Sequence, residues 1–101
     1  MQTAAYIDQA GIQAGIRADI DARIGRLRDR IRWAAELDGP DQTIYRAAEA
    51  ELAAAHAALD EGGRAVLLRL LRARRLLGVV DDAPPLAEAA SAIVTAVAGT
   101  A

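Results

Sequence analysis

Apolar positions along the chain recur at intervals of three and four rather than two, and they do so in four separate blocks. In the first, Ile20, Ile24, Leu27, Ile31 and Ala34 step by 4, 3, 4 and 3, and Ile16 and Ile12 continue the row towards the N-terminus. Such a row lies along one side of an α-helix with the spacing of a coiled-coil seam. The second block runs Ile44, Ala48, Leu52, Ala55, Leu59; the third Val66, Leu70, Ala73, Leu77; the fourth Leu86, Ala90, Ile93, Val97. No stretch alternates with period two for long enough to make a strand, and Val79-Val80 is too short to count.

Between the blocks lie three clusters of turn-forming residues: Leu37 to Asp41, Asp60 to Gly63 and Gly78 to Pro85. Gly and Pro there mark loops. The spacing therefore predicts an all-α, four-helix arrangement over about 16–37, 41–60, 63–77 and 84–98, a single domain with a long first helix. Pro40 fits the first helical position, with Asp41 in the first turn near the positive end of the helix dipole, and Pro84-Pro85 open the last helix. Gly78 fits the residue just beyond the third helix, behind Arg74 and Arg75. Residues 3–10 form a separate turn or an extension of the first helix, depending on whether the helix runs through Gly11 and Gly15.

Composition tempers the picture of a generous core. Apolar residues make up 53% of the 101, but 26 of them are Ala, whose methyl buries little area. A core this thin favours burial against copies of the chain or against a partner, so the arrangement is expected to be oligomeric. All 12 basic residues are Arg, and Lys, Asn, Phe and Cys are absent, a composition that suggests a GC-rich bacterial or phage gene. Without Cys there is no disulfide framework, thiol nucleophile or zinc-finger site. The start, MQTAAYIDQ, lacks the basic and apolar regions of a secretory signal, which points to a cytoplasmic or virion-associated protein. The longest uncharged stretch, residues 89–101, is too short for a membrane span of about 20 residues.

The net charge of −2 hides a partition. Residues 17–32 carry six Arg against three Asp, and 64–75 carry five Arg and no acid, whereas 36–61 carry seven acids and one Arg. Basic first and third helices flanking an acidic second are expected to neighbour each other within the bundle or between subunits.

The third helix adds a second feature. At 100° per residue Val66, Leu70, Ala73 and Leu77 share one side, while Leu68 and Leu71 fall on the other among Arg64, Arg72 and Arg75. A helix with one buried stripe does not need Leu opposite it. Either this helix is central in its own bundle, with Arg stems running past Leu68, or the second face is covered by another chain. Trp33, the only Trp, lies off the first seam beside Leu37. It either packs within the bundle beneath Arg26 and Arg30 or anchors an interface, where Trp and Arg are enriched.

Candidates for chemistry are few. Glu49, His56 and Asp60 share a helical face, but one His with two carboxylates on one helix lacks the second, converging element of a metal site. Leu52 and Leu59 flank His56, the only His, as expected of a histidine at the edge of a core. Ser91, the only Ser, lies on a small-residue stripe with Ala87 and Thr95. Gly11 and Gly15 lack the Gly-Lys-Ser/Thr ending of a phosphate loop. No catalytic, metal or cofactor site is expected. The expected function is non-enzymatic: a structural or adaptor subunit, with virion or phage-type assembly as one setting. The candidate interface comprises Trp33, Leu37, Arg64, Leu68, Leu71, Arg72 and Arg75, and its partner is a second copy or another protein. The alternative is a nucleic-acid-binding module, since Gly62-Gly63 followed by an Arg-rich helix loosely follows a helix-turn-helix. Against it stand the Leu content of that helix and a pI near 5.3.

Overall fold

A computed structural model describes residues 14–37, 39–80 and 84–99. Four helices pack against one another, with no strand among the described residues: α1 (Ala14–Leu37), α2 (Gln42–Ala57), α3 (Gly63–Val79) and α4 (Pro84–Ala98). A 3₁₀ turn, Ala58–Glu61, tightens the end of α2. Each helix packs on its sequence neighbour, and α4 closes the ring onto α1 less extensively than the other pairs pack. The result is an up-down-up-down bundle in which α1 and α3 occupy one diagonal and α2 and α4 the other.

The core is built from the four rows of the sequence pattern. Ile20, Ile24, Ile31, Ala48, Leu52, Ala55, Val66, Leu70, Ala73, Leu77, Ala90 and Val97 are fully buried, and Leu27, Leu59, Leu86 and Ile93 nearly so. Departures occur at the ends. Ile16 is partly exposed, and the upper end of the α1 row passes to Ala35, with Ala34 only half-buried. Tyr45 is buried beside the half-buried Ile44. Ile12 and residues 3–10, including the choice between a turn and a longer helix, lie outside the described residues, as does Gly11. Gly15 is helical, and no side chain or backbone of another element approaches its Cα.

Two helix ends are capped differently from the expectation, and a third begins where it was expected. Pro40 is not the first residue of α2. The Gln42 N–H bonds Gly39 O at 3.5 Å, and Asp41, at φ −100° and ψ 9°, is the helix cap. That is a β-turn with Pro in its second position, which uses the same fixed φ that would have suited a helix start. Gly78 does not lie beyond α3 but within its last turn; Val80 is the cap, its N–H on Leu77 O at 3.2 Å. Val80 is buried, so an apolar anchor rather than a left-handed glycine ends the helix. Gly63 opens α3, and the turn itself is made by Gly62 at φ 104° and ψ 170°, a region open essentially to Gly alone.

Three substitutions test this packing by denaturant unfolding. Leu27→Ala should cost about 2–5 kcal/mol, as expected for a buried Leu. Gly62→Ala should cost about 1–3 kcal/mol through strain. Gly78→Ala, exposed and helical with open space around the added methyl, should stabilise by about 0.5–1 kcal/mol.

Candidate interaction surfaces

The polar contacts between α1 and α2 follow one register. Arg28 Nε donates to Glu49 Oε1 at 2.8 Å. Seven residues down α1 and seven up α2, Asp21 meets His56. Four further on each, Arg17 pairs with Asp60. At the other end the Gln42 amide donates to Ala35 O at 3.2 Å. The spacing of the core seam is thus repeated by the charges beside it, which locks two antiparallel helices at one offset. On the other side of α2, Arg69 donates to Glu51 at 3.4 Å. The acidic second helix is therefore sandwiched between two basic ones within a single chain.

His56 sits inside this row. Arg28 can only donate, so Nδ1 of the ring accepts from its guanidinium at 3.0 Å, and Nε2 carries the hydrogen. Nε2 donates to Asp21 Oδ1 at 2.6 Å and also approaches the Asp21 carbonyl at 3.1 Å. Glu49, His56 and Asp60 do share a face, but each is engaged by a residue of α1 rather than by its companions. Among the described residues no three metal-ligating side chains converge. Ser91 lies on α4, diagonally across the bundle from the helix that bears His56, and its carbonyl accepts from Thr95 Oγ1.

Trp33 is not packed beneath Arg26 and Arg30. It is 67% exposed, as is Leu37. The reason is its angular position: it points away from the seam on a helix that contributes only one stripe to the core. Trp33 and Arg30 border a shallow hollow floored by Ala34 and Leu86, where α1 meets the start of α4. Next along the same seam, Arg23, Arg26 and Arg30 rim a smaller cavity of about 230 Å³ over Leu27, Ala89, Ala92 and Ile93.

The outer face of α3 is the other exposed apolar surface. Leu68 is 51% and Leu71 36% exposed, and Val79 near the end of the helix is exposed as well. α3 is a corner helix and not a central one, so nothing in the bundle covers these side chains. Arg64, Arg72, Arg74 and Arg75 surround them, with no ion pair among the described residues. Trp33 and Leu37 cannot belong to the same patch. They lie on α1, diagonally opposite α3, and face away from it. The seven residues expected to form one interface thus lie on two separate exposed surfaces, on opposite corners. The sequence pattern places Val79 in a loop beyond Gly78, whereas it is the last residue of α3 and adds to this face.

The helix-turn-helix resemblance does not extend to geometry. Glu51 and Arg69 each lie six residues, nearly two turns, from the facing ends of α2 and α3 and still meet, so these helices run side by side. A helix-turn-helix pair diverges at about 90–120°.

Two substitutions separate these roles by denaturant unfolding. His56→Ala should cost about 0.5–1.5 kcal/mol, the ordinary net worth of its hydrogen bonds to the half-buried Arg28 and the exposed Asp21, while His56→Gln, whose amide can donate and accept, should cost less. Trp33→Ala should change stability by no more than about 0.5 kcal/mol, as at an ordinary surface position.

The chain matches no protein-family model, no curated protein and no solved structure, so its surfaces must be read from their own geometry.

Proposed function

We propose that the chain is a non-enzymatic interaction or assembly protein, a small structural or adaptor subunit that presents the outer face of α3 to another chain. The carrying observation is Leu68 and Leu71, exposed on a helix whose inner row, Val66, Leu70, Ala73 and Leu77, is fully buried. The bundle closes without the two leucines, so their cost in exposed apolar area has no counterpart inside the chain. Trp33 and Leu37 on the opposite corner give the subunit a second contact point, which suits a bridging role. Cellular setting follows only the composition, for which bacterial cytoplasm or a phage particle is the proposal. No helix is long and apolar enough to cross a membrane among the described residues.

A second reading is favoured by one observation: four arginines of α3 without ion pairs among the described residues, on a helix with no acid. Such a surface can contact phosphates, and nucleic-acid binding would then show a steep loss of affinity with salt.

Replacing Leu68 and Leu71 together by Gln tests the first reading. Helicity should be kept and the unfolding free energy stay within about 1 kcal/mol of the parent, while association with a second copy or partner, read by native mass, is lost. If the double variant instead unfolds, at about 1–3 kcal/mol per amide left unsatisfied, the face is internal and the proposal fails. A parent chain that is monomeric at high concentration, with neither partner nor DNA affinity, contradicts both readings.

A further inference from the structure

We infer that the outer face of α3 docks an acidic amphipathic helix of another protein rather than a second copy of this chain. This rests on the interaction reading above and specifies the partner's chemistry. Arg64, Leu68, Leu71, Arg75 and Val79 follow one another at spacings of 4, 3, 4 and 4 down the side of α3 opposite its buried row. A second helix laid along such a row finds knobs at its own 3 and 4 spacing. The row spans about 23 Å at 1.5 Å per residue, the length of about 16 helical residues. Leu68 and Leu71 are shared by two adjoining hollows, of about 570 Å³ towards Glu61, Arg64 and Ala65 and about 590 Å³ towards Arg72, Arg74 and Arg75. Apolar side chains of the partner fit there.

Charge selects among occupants. Arg72 and Arg74 project to either side of the row, where flanking positions of a paired helix carry its charges, and Arg64 and Arg75 lie on the row itself. From Arg64 to Val79 there is no acid. Arg69 alone is turned away, towards Glu51. Two copies joined through this face would place the same arginines against each other, and like charges across an interface oppose association. Nor do the described residues offer a complementary face elsewhere. Glu49, Glu51 and Asp60 are tied to Arg28, Arg69 and Arg17, and the acids of α1 at Asp19, Asp21 and Asp29 to Arg23, His56 and Arg32. Glu36, Glu61 and Glu88 sit on three different elements. An acidic helix supplies both what the leucines and what the arginines lack. Nucleic acid would leave the leucines facing phosphate, and a bilayer would meet two leucines where it needs a wide apolar face.

The test uses the full chain and three labelled synthetic helical peptides of 18 residues, followed by fluorescence anisotropy at low and high salt. One carries Leu at 3 and 4 spacing flanked by Glu. The second keeps the Leu row but carries Lys for Glu, and the third keeps Glu but carries Gln for Leu. The expected result is binding of the first peptide at least tenfold tighter than either of the others, weakened by salt. Leu68→Gln should lower that affinity at least tenfold. The pair Arg72→Gln and Arg74→Gln should lower it and reduce its salt dependence, with circular dichroism unchanged. Equal binding of the Lys peptide, or no preference among the three, overturns the inference. So does tighter binding of a 20-base-pair DNA duplex or of phosphatidylserine vesicles. A native dimer dissolved by Leu68→Gln overturns it as well, yet leaves the interaction reading standing, whereas loss of the fold in that variant would remove both.

Discussion

Each of the four described helices has a single apolar row to bury, and much of what lies in those rows is alanine. Ala35, Ala48, Ala55, Ala58, Ala73 and Ala90 are all in the core beside Ile, Leu and Val. Small residues let helix axes approach towards the lower end of the usual 8–10 Å. The cross-section is correspondingly slim, 17 × 16 Å between Cα extremes. Four narrow rows meet around one axis, each helix takes a corner, and no position for a central helix remains. A side chain opposite a buried row then has no place in the core formed by the described residues, whatever its polarity. The exposure of Trp33, Leu68 and Leu71 follows from that constraint.

Charge sets the order and offset of the helices that the apolar rows alone would leave loosely specified. Four similar rows of Ala, Leu, Ile and Val can slide by a turn at modest loss. The row from Arg17–Asp60 through Asp21–His56 to Arg28–Glu49 cannot, because a shift would set Asp21 against another acid or Arg28 against apolar surface. Exposed pairs of this kind contribute little individually. Arg28 and Glu49, with about a quarter of each side chain exposed, are the better shielded members of the row. Neutralising the acids of α2 on both sides has a further consequence: the charges left over on α3 are all of one sign, although the chain as a whole is acidic.

Much of the fold was legible in the sequence because helix periodicity and core burial are here the same signal. The rows on α3 and α4 are buried at each position read from the spacing, and the alternation of basic, acidic and basic helices is found as neighbours in space. Less legible were the ends. Pro40 suits a turn as well as a helix start, and Gly78 suits a helix end until Val80 finds a place in the core. Spacing also admitted Ile44 and passed over Tyr45, since near a helix start two adjacent positions compete for one buried site. The candidate surface was legible residue by residue but not in its arrangement. A projection shows which side of its own helix Trp33 or Leu68 occupies, and not that the two helices lie on a diagonal.

The central claim is that α3 keeps one face in the core and leaves the other free in the isolated chain. The absence of Cys makes this directly measurable, since any introduced thiol is the only one. Leu68→Cys and Leu70→Cys variants, treated with a thiol reagent at low protein concentration, would report the two faces separately. The account predicts that the thiol at position 68 reacts close to the rate of an unstructured peptide, while that at position 70 reacts only as fast as the chain unfolds. Protection of both positions would contradict it, by showing that the second face of α3 is already covered.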